Sequence, residues 1–297
     1  MFPQCLQRPE GVSDELARTW LNNVREAKPI FEHPLRTALP MAVLPVICVL
    51  GGAWGTWRAR RATRDVLTGW AAVTLFCLFA AVMLLWQIRA GPAAQLLAIH
   101  GSTLILWVLV PWCLEHRLVI VRVLGSVAAF LGFSGLFAGL VLRYLPIDEP
   151  SPRVRIINRA ASLCAFQPNL AVLDRLPATT LFTHVDLGPR LITMTHHRGI
   201  AGPYHRNEGA ILDVHRAFKG TPENFLRIAA AHGATHLLTC PNLAETTIYR
   251  ARAPGGFYSQ LAQGRIPAWL VPVRLPANSP FRLWRIAYPA ARPAAQP

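Results

Sequence analysis

The sequence predicts a membrane α-helical protein, with four transmembrane helices joined to a small α/β extracytoplasmic domain. Three observations predict it. The 297 residues are 53% apolar and only 15% charged, with a mean hydropathy of +0.32. Ordinary soluble domains carry about 25% charged residues. That much apolar surface excludes a disordered chain and argues against one soluble globule. Next, four windows of 21, 23, 25 and 20 residues contain no Asp, Glu, Lys or Arg (37–57, 66–88, 90–114 and 123–142). About 20 apolar residues carry a helix across the hydrocarbon core. Lastly, charge is segregated. Residues 1–150 hold 13 basic and 9 acidic side chains, and residues 151–297 hold 17 and 6, so most of the net +15 lies in the second half.

The first 36 residues form a tail with one expected helix over residues 14–28. Leu16, Trp20 and Val24 recur at helical spacing, Ser13 is the expected N-cap, and Pro29 ends the run. A short amphipathic helix with a tryptophan beside a span reads as an interfacial element. The plainer reading is a loop helix packed on the second domain. The first window does not look like a signal peptide, because a 36-residue polar stretch precedes it and no small-residue cleavage pattern follows it.

The membrane region is expected over residues 37–142. Its third window is diluted by Gly91, Pro92, Gln95 and His100, the last a candidate intramembrane polar group. Trp54, Trp57, Trp70 and Trp86 lie toward window ends, where aromatic belts sit. Arg58, Arg60, Arg61 and Arg64 make the first connection the most basic short loop, and therefore cytoplasmic. Alternation then places both termini in the periplasm of a bacterial inner membrane. In the fourth window, Gly135 and Gly139 form a small-xxx-small pair that lets helix backbones approach.

Residues 150–287 change to a globular pattern. Helix is expected over 160–176, interrupted near Pro168, then a strand over 179–185 ending at Asp186. A short helix over 187–195, a strand over 199–204 and a helix over 209–218 follow. The helix over 221–232 has the fullest signals, with Thr221 as cap, Pro222 at its first position and Gly233 as stop. Strands over 235–240 and 282–286 complete an α/β layer pattern. Residues 288–297, with Pro289, Pro293 and Pro297, are expected to be a disordered tail.

Cys48, Cys77 and Cys113 fall in spans, where they pack as small apolar groups. Cys5, Cys164 and Cys240 would meet an oxidising periplasm and allow one disulfide in three possible pairings. There is no Cys-x-x-Cys. His184, His196, His197 and His205 lie close in sequence, but their spacing matches no zinc signature, so no metal site is expected. No phosphate-binding loop, dinucleotide fingerprint or nucleophile elbow is present. Scattered basic residues outside the cytoplasm do not describe a nucleic-acid binder. The most unusual segment is Asp186-Leu187-Gly188-Pro189, followed by Gly202-Pro203-Tyr204-His205-Arg206-Asn207. An Asp at a strand end can accept backbone amides, a glycine admits close approach, and Arg206 with His205 suits an anion. The plainer reading is a strand–turn–helix junction with a satisfied cap.

These segments resemble the C-terminal part of bacterial polytopic glycosyltransferase-like proteins of the GT-C superfamily. The likeness rests on three stretches. They are the pre-span tail with Trp20-Leu21, Val24 and Glu26-Ala27, the Asp186–Pro189 turn, and Pro203–Asn207 with the elements leading to Cys240. It covers most of residues 1–29 and 160–245. A more distant likeness is to the oligosaccharyltransferase catalytic subunit, whose Trp-Trp-Asp-Tyr-Gly motif aligns Asp186 and Gly188. The tryptophans are absent here and Leu187 replaces the tyrosine, so acceptor-peptide recognition does not carry over.

The resemblance implies sugar transfer from a polyprenyl-phosphate donor on the periplasmic face. Gly188, Tyr204, His205, Arg206 and Asn207 would bind substrate, and Asp186 and Glu26 are the catalytic candidates. The acidic first-loop residues of such enzymes have no counterpart, because the loop at Arg89 has no Asp or Glu. The chain is therefore expected to be a fragment, or a half that depends on a complementary membrane subunit. The cofactor is left unknown, and a divalent metal enters only if missing sequence or a partner supplies the acidic loop. The rival expectation is a non-catalytic membrane protein whose basic periplasmic domain binds lipid headgroups or a protein partner.

Overall fold

The structure, a computed structural model, describes residues 12–144 and 150–289. Cys5 and almost all of the expected tail at 288–297 lie outside the described residues. The chain divides into two compact units, residues 21–149 and residues 1–20 taken with 150–297. The expected tail 1–36 is thus shared between them.

In the second of these units, helix α1 (Asp14–Thr19) is capped by the Ser13 hydroxyl, which accepts from the Leu16 amide. The helix expected over 14–28 is much shorter. Beyond Trp20 the chain makes 3-10 turns at Leu21–Asn23 and Arg25–Ala27. Asn22 and Asn23 have poor helix propensity, and their side chains compete for the backbone.

The apolar unit begins with α2 (Leu35–Ala59) and α3 (Arg64–Trp86), each long and apolar enough to cross a membrane. Next come α4 (Gly91–Leu97), α5 (Ile99–Leu114), α6 (Ser126–Phe133) and α7 (Leu136–Tyr144). These form two bent pairs. Ile88–Leu97 meets Ile99–Leu114 at 41°, and Val121–Phe133 meets Leu136–Tyr144 at 93°. The described residues therefore hold two candidate spans, or up to four if each pair is one span.

The sharper bend falls at Gly135, whose φ of +80° only glycine adopts readily. Gly135 thus breaks the helix, and Gly139 faces open space, so the expected small-xxx-small contact is not made there. Close approach occurs elsewhere. A Cβ on Gly51 of α2 would overlap the Gly101 carbonyl of α5, and one on Gly101 would overlap the Cys48 carbonyl. Pro45 inside α2 has no N–H for the Met41 carbonyl, and Gln95 Nε2 donates to that oxygen at 3.1 Å. His100 Nδ1 contacts the Leu97 carbonyl at 3.2 Å on an exposed face.

The other unit is a small mixed sheet clad by helices. Elements α8 (Pro152–Ala165) and α9 (Gln167–Leu170) lead into β1 (Thr180–Phe182), α10 (Gly188–Met194) and β2 (Arg198–Gly199). Then follow α11 (Glu208–Lys219), α12 (Pro222–Ala231), β3 (His236–Thr239), α13 (Ala244–Arg252), α14 (Phe257–Ala262), β4 (Leu270–Val273) and β5 (Arg282–Ile286). Strand order is β2-β1-β3-β5-β4, with β2, β1 and β3 parallel and β5 and β4 antiparallel.

Alternation along the strands separates two cores. Leu181 and Leu238 pack with Leu191, Leu173 and Phe281. Phe182 turns the other way, onto Phe218 and Phe225 at centroid distances of 5.6 and 4.7 Å. Thr221 caps α12 by accepting from the Asn224 amide, and Gly233 ends it at φ +64°. Helices α13 and α14 and strand β4 were not expected. Of the three possible cysteine pairings, the structure forms Cys164–Cys240, which ties α8 to the end of β3.

Candidate functional site

The carboxyl ends of β1 and β3 define the site. From β1 the chain turns to β2 on one side, and the next strand, β3, lies on the other. Adjacent parallel strands whose exits diverge leave a crevice at their carboxyl ends, where open α/β sheets bind ligands.

On the β1 side the two sequence motifs come together. The chain turns after β1 as the Leu187 and Gly188 amides donate back to the His184 carbonyl at 3.2 Å each. A Cβ on Gly188 would overlap the carbonyl oxygen of Ala201, so only glycine admits the incoming strand-loop. Beside it, a Cβ on Gly202 would sit 2.8 Å from the Tyr204 ring and 3.5 Å from Pro189. The Asp186–Pro189 turn and the Gly202–Asn207 loop are therefore one packed feature. Asp186, Tyr204 and Arg206 are exposed on it, and His205–Asn207 make a 3-10 turn into α11. Glu26 lies exposed in the Arg25–Ala27 turn, which belongs to the other unit.

The backbone amides of Val185 and Asp186 in this turn are held by Glu245 of α13, which sequence reasoning missed. Its carboxyl accepts from the Val185 amide (Oε1, 3.1 Å), the Asp186 amide (Oε2, 3.1 Å) and the Tyr249 hydroxyl. Burial, and then the nearby Asp186 charge, push the Glu245 carboxyl up to about 8, against the pull of its three donors. Burial also holds the Tyr249 phenol well above its ordinary value.

Beneath the turn, His184 is fully buried, stacked on the Phe218 ring at 4.9 Å, with neither ring nitrogen hydrogen-bonded among the described residues. Burial lowers it to about 3, with a further push from His215. His215 is lowered to about 3 by burial and then by Lys219 and Arg252. Both imidazoles are neutral core groups at neutral pH.

On the β3 side, α13 has two working faces set by i, i+4 spacing. Glu245 and Tyr249 face β1. Thr246 and Arg250 line a cleft of about 180 Å³, together with Thr239, Asn242, Tyr258 and Arg282. Asn242 takes a left-handed φ of 67° where the chain leaves β3, a conformation asparagine tolerates better than most residues. Antiparallel pairing sets Arg282 opposite Thr239 and so brings the start of β5 to the same cleft. Among the described residues no carboxylate pairs with Arg250 or Arg282. Two unpaired guanidinium groups among hydroxyl and amide groups suit a phosphate or another oxyanion. The sequence signal was an Asn-Leu-Ala-Glu junction after a strand, which reads first as an ordinary helix start.

The chain matches no protein-family model and no curated protein.

Proposed function

We propose that this chain is an integral inner-membrane protein whose α/β domain, outside the cytoplasm, holds the phosphate of a polyprenyl-phosphate sugar. The observation that carries this reading is the cleft at the carboxyl end of β3, where Arg250 and Arg282 converge without acidic partners. Both are exposed to an incoming ligand. Arginine binds phosphate oxygens bidentately, and the cleft volume accommodates a phosphate with part of a sugar. The neighbouring loop, with Asp186, Tyr204, His205, Arg206 and Asn207, orients the sugar or the acceptor. Its closeness to the cleft follows from Glu245, which grips the β1 turn from the same helix that supplies Thr246 and Arg250.

This reading keeps four spans, counting each bent helix pair as one, and places both termini in the periplasm. Arg58, Arg60, Arg61 and Arg64 on the cytoplasmic side and the Cys164–Cys240 disulfide support that orientation. The GT-C-like motifs support glycosyl transfer as the reaction served. The cleft contains cations but no carboxylate in its lining, which fits a holding role better than proton transfer. Acid–base groups would then come from a complementary membrane subunit.

The test is cellular. Asp186→Asn and the Arg250→Ala/Arg282→Ala double variant should each abolish the glycan that the wild-type gene restores to a deletion strain, at unchanged protein level. If both folded variants restore it fully, the transfer reading is lost. A second reading, headgroup binding without transfer, is favoured by the same carboxylate-free cleft. It predicts that the deletion leaves glycans unchanged while the arginine variants lose phospholipid retention.

A further inference from the structure

A second cluster lies at the opposite edge of the sheet, before the amino ends of β1 and β2. Asp174 sits in a 3-10 turn (Ala171–Arg175), and His196 and His197 immediately precede β2. One donor atom from each of the three lies within 4.8 Å of the others. His196 Nε2 contacts the Leu176 carbonyl at 2.7 Å, and His197 Nε2 contacts the Leu173 carbonyl at 2.9 Å. A carbonyl oxygen only accepts, so both Nε2 atoms carry hydrogen. In the neutral rings the lone pairs then lie on Nδ1.

Those lone pairs have poor company. His196 Nδ1 stands 3.4 Å from Asp174 Oδ1, which also accepts from the His196 amide at 3.4 Å; with a neutral ring this sets an acceptor against an acceptor, a contact that either a ring proton or a bound cation relieves. His197 is only 3% exposed, and its Nδ1 is buried without a hydrogen-bond partner among the described residues. Imidazoles that donate one N–H to a backbone carbonyl are oriented and tautomerically fixed as metal ligands.

We propose that Asp174, His196 and His197 bind a divalent transition metal of the zinc class, through the carboxylate and the two Nδ1 atoms. Two imidazoles and one carboxylate suit zinc, cobalt or nickel rather than magnesium or calcium. The exposed sides of Asp174 and His196 leave the fourth position to solvent. The metal would fasten the turn before β1 to the turn before β2, remote in sequence from the phosphate cleft and independent of it.

The experiment uses the full chain in detergent micelles, purified through a tag free of histidine. After equilibration with zinc and desalting, wild type should retain about one zinc per chain. Cobalt should bind with visible ligand-field absorption, and zinc should raise the Tm. His196→Ala changes an exposed side chain and should fold. It should weaken zinc binding about tenfold or more and abolish the Tm increase, as should Asp174→Asn. His232→Ala, whose ring pairs with Asp213, should bind zinc like wild type. Absence of retained zinc in wild type, or equal retention in His196→Ala and Asp174→Asn, would overturn the proposal and leave a plain imidazolium–carboxylate pair.

Discussion

Three buried titratable side chains give the α/β domain a pH dependence of defined sign. His184 and His215 titrate near 3 when folded against an ordinary 6.5. The unfolded chain binds more protons between those values, so both contribute stability above pH 6.5 that is lost as pH falls. Glu245 works in the opposite sense. Its folded value of about 8 lies above the ordinary 4.5, so its contribution is lost as pH rises through that window. Each group tilts the curve by at most about 1.4 kcal/mol per pH unit. Stability should therefore peak near pH 6.5 and fall with similar slope on either side, more steeply only below about pH 4.5 where the Glu245 contribution no longer opposes the two histidines, in thermal melts across pH 4 to 9.

Two substitutions probe the same turn. Glu245→Gln places an NH₂ against either the Val185 or the Asp186 amide and should cost about 1–3 kcal/mol. Gly188→Ala drives a methyl into the Ala201 carbonyl and should displace the Gly202–Asn207 loop, at a cost of about 1–3 kcal/mol. Gly188 was legible in the sequence because a glycine at a strand end has few other uses. Glu245 was not, because a first-turn glutamate on a helix has an ordinary electrostatic reason to be there.

Among the elements, those with local signals were legible. Helix α12 carries its cap, first-turn proline and stop glycine in the sequence itself, and β5 shows a short run of Leu, Trp and Ile set between arginines, although Leu283 and Trp284 are both buried and the expected strict alternation is not kept. Strand β4 was hidden because Pro272 reads as a breaker, and an edge strand with one neighbour tolerates it. The bends in the last two apolar segments were also hidden, since hydropathy counts residues and not backbone angles. The disulfide was narrowed to three pairings by composition and fixed only by the fold. It closes a separation of 76 residues, so Cys164→Ser should cost roughly 4 kcal/mol by chain entropy, measured by denaturant unfolding. In the Glu15–Arg216 pair between α1 and α11, Nη2 donates to both carboxylate oxygens at 2.6 and 2.8 Å and Nε to one of them at 3.2 Å, yet the pair is half-exposed. Glu15→Ala should cost no more than about 1 kcal/mol in the same experiment.

At the scale of the whole molecule, high apolarity and high positive charge belong to different parts of one chain. The apolar residues build a helical unit held by glycine contacts at Gly51 and Gly101. Much of the net positive charge falls to the mixed-sheet unit, where two arginines line one cleft without carboxylate partners among the described residues. The proposed address outside the cytoplasm predicts that a reporter enzyme fused after Arg155 is active only in the periplasm. The proposed ligand is tested most directly by equilibrium binding of a polyprenyl monophosphate to the full chain in neutral-lipid nanodiscs. Binding should be saturable and should weaken about tenfold or more in the Arg250→Ala/Arg282→Ala double variant, with Tm unchanged, as expected for losing two charge-assisted contacts. Equal affinity in wild type and the folded double variant would contradict the proposal.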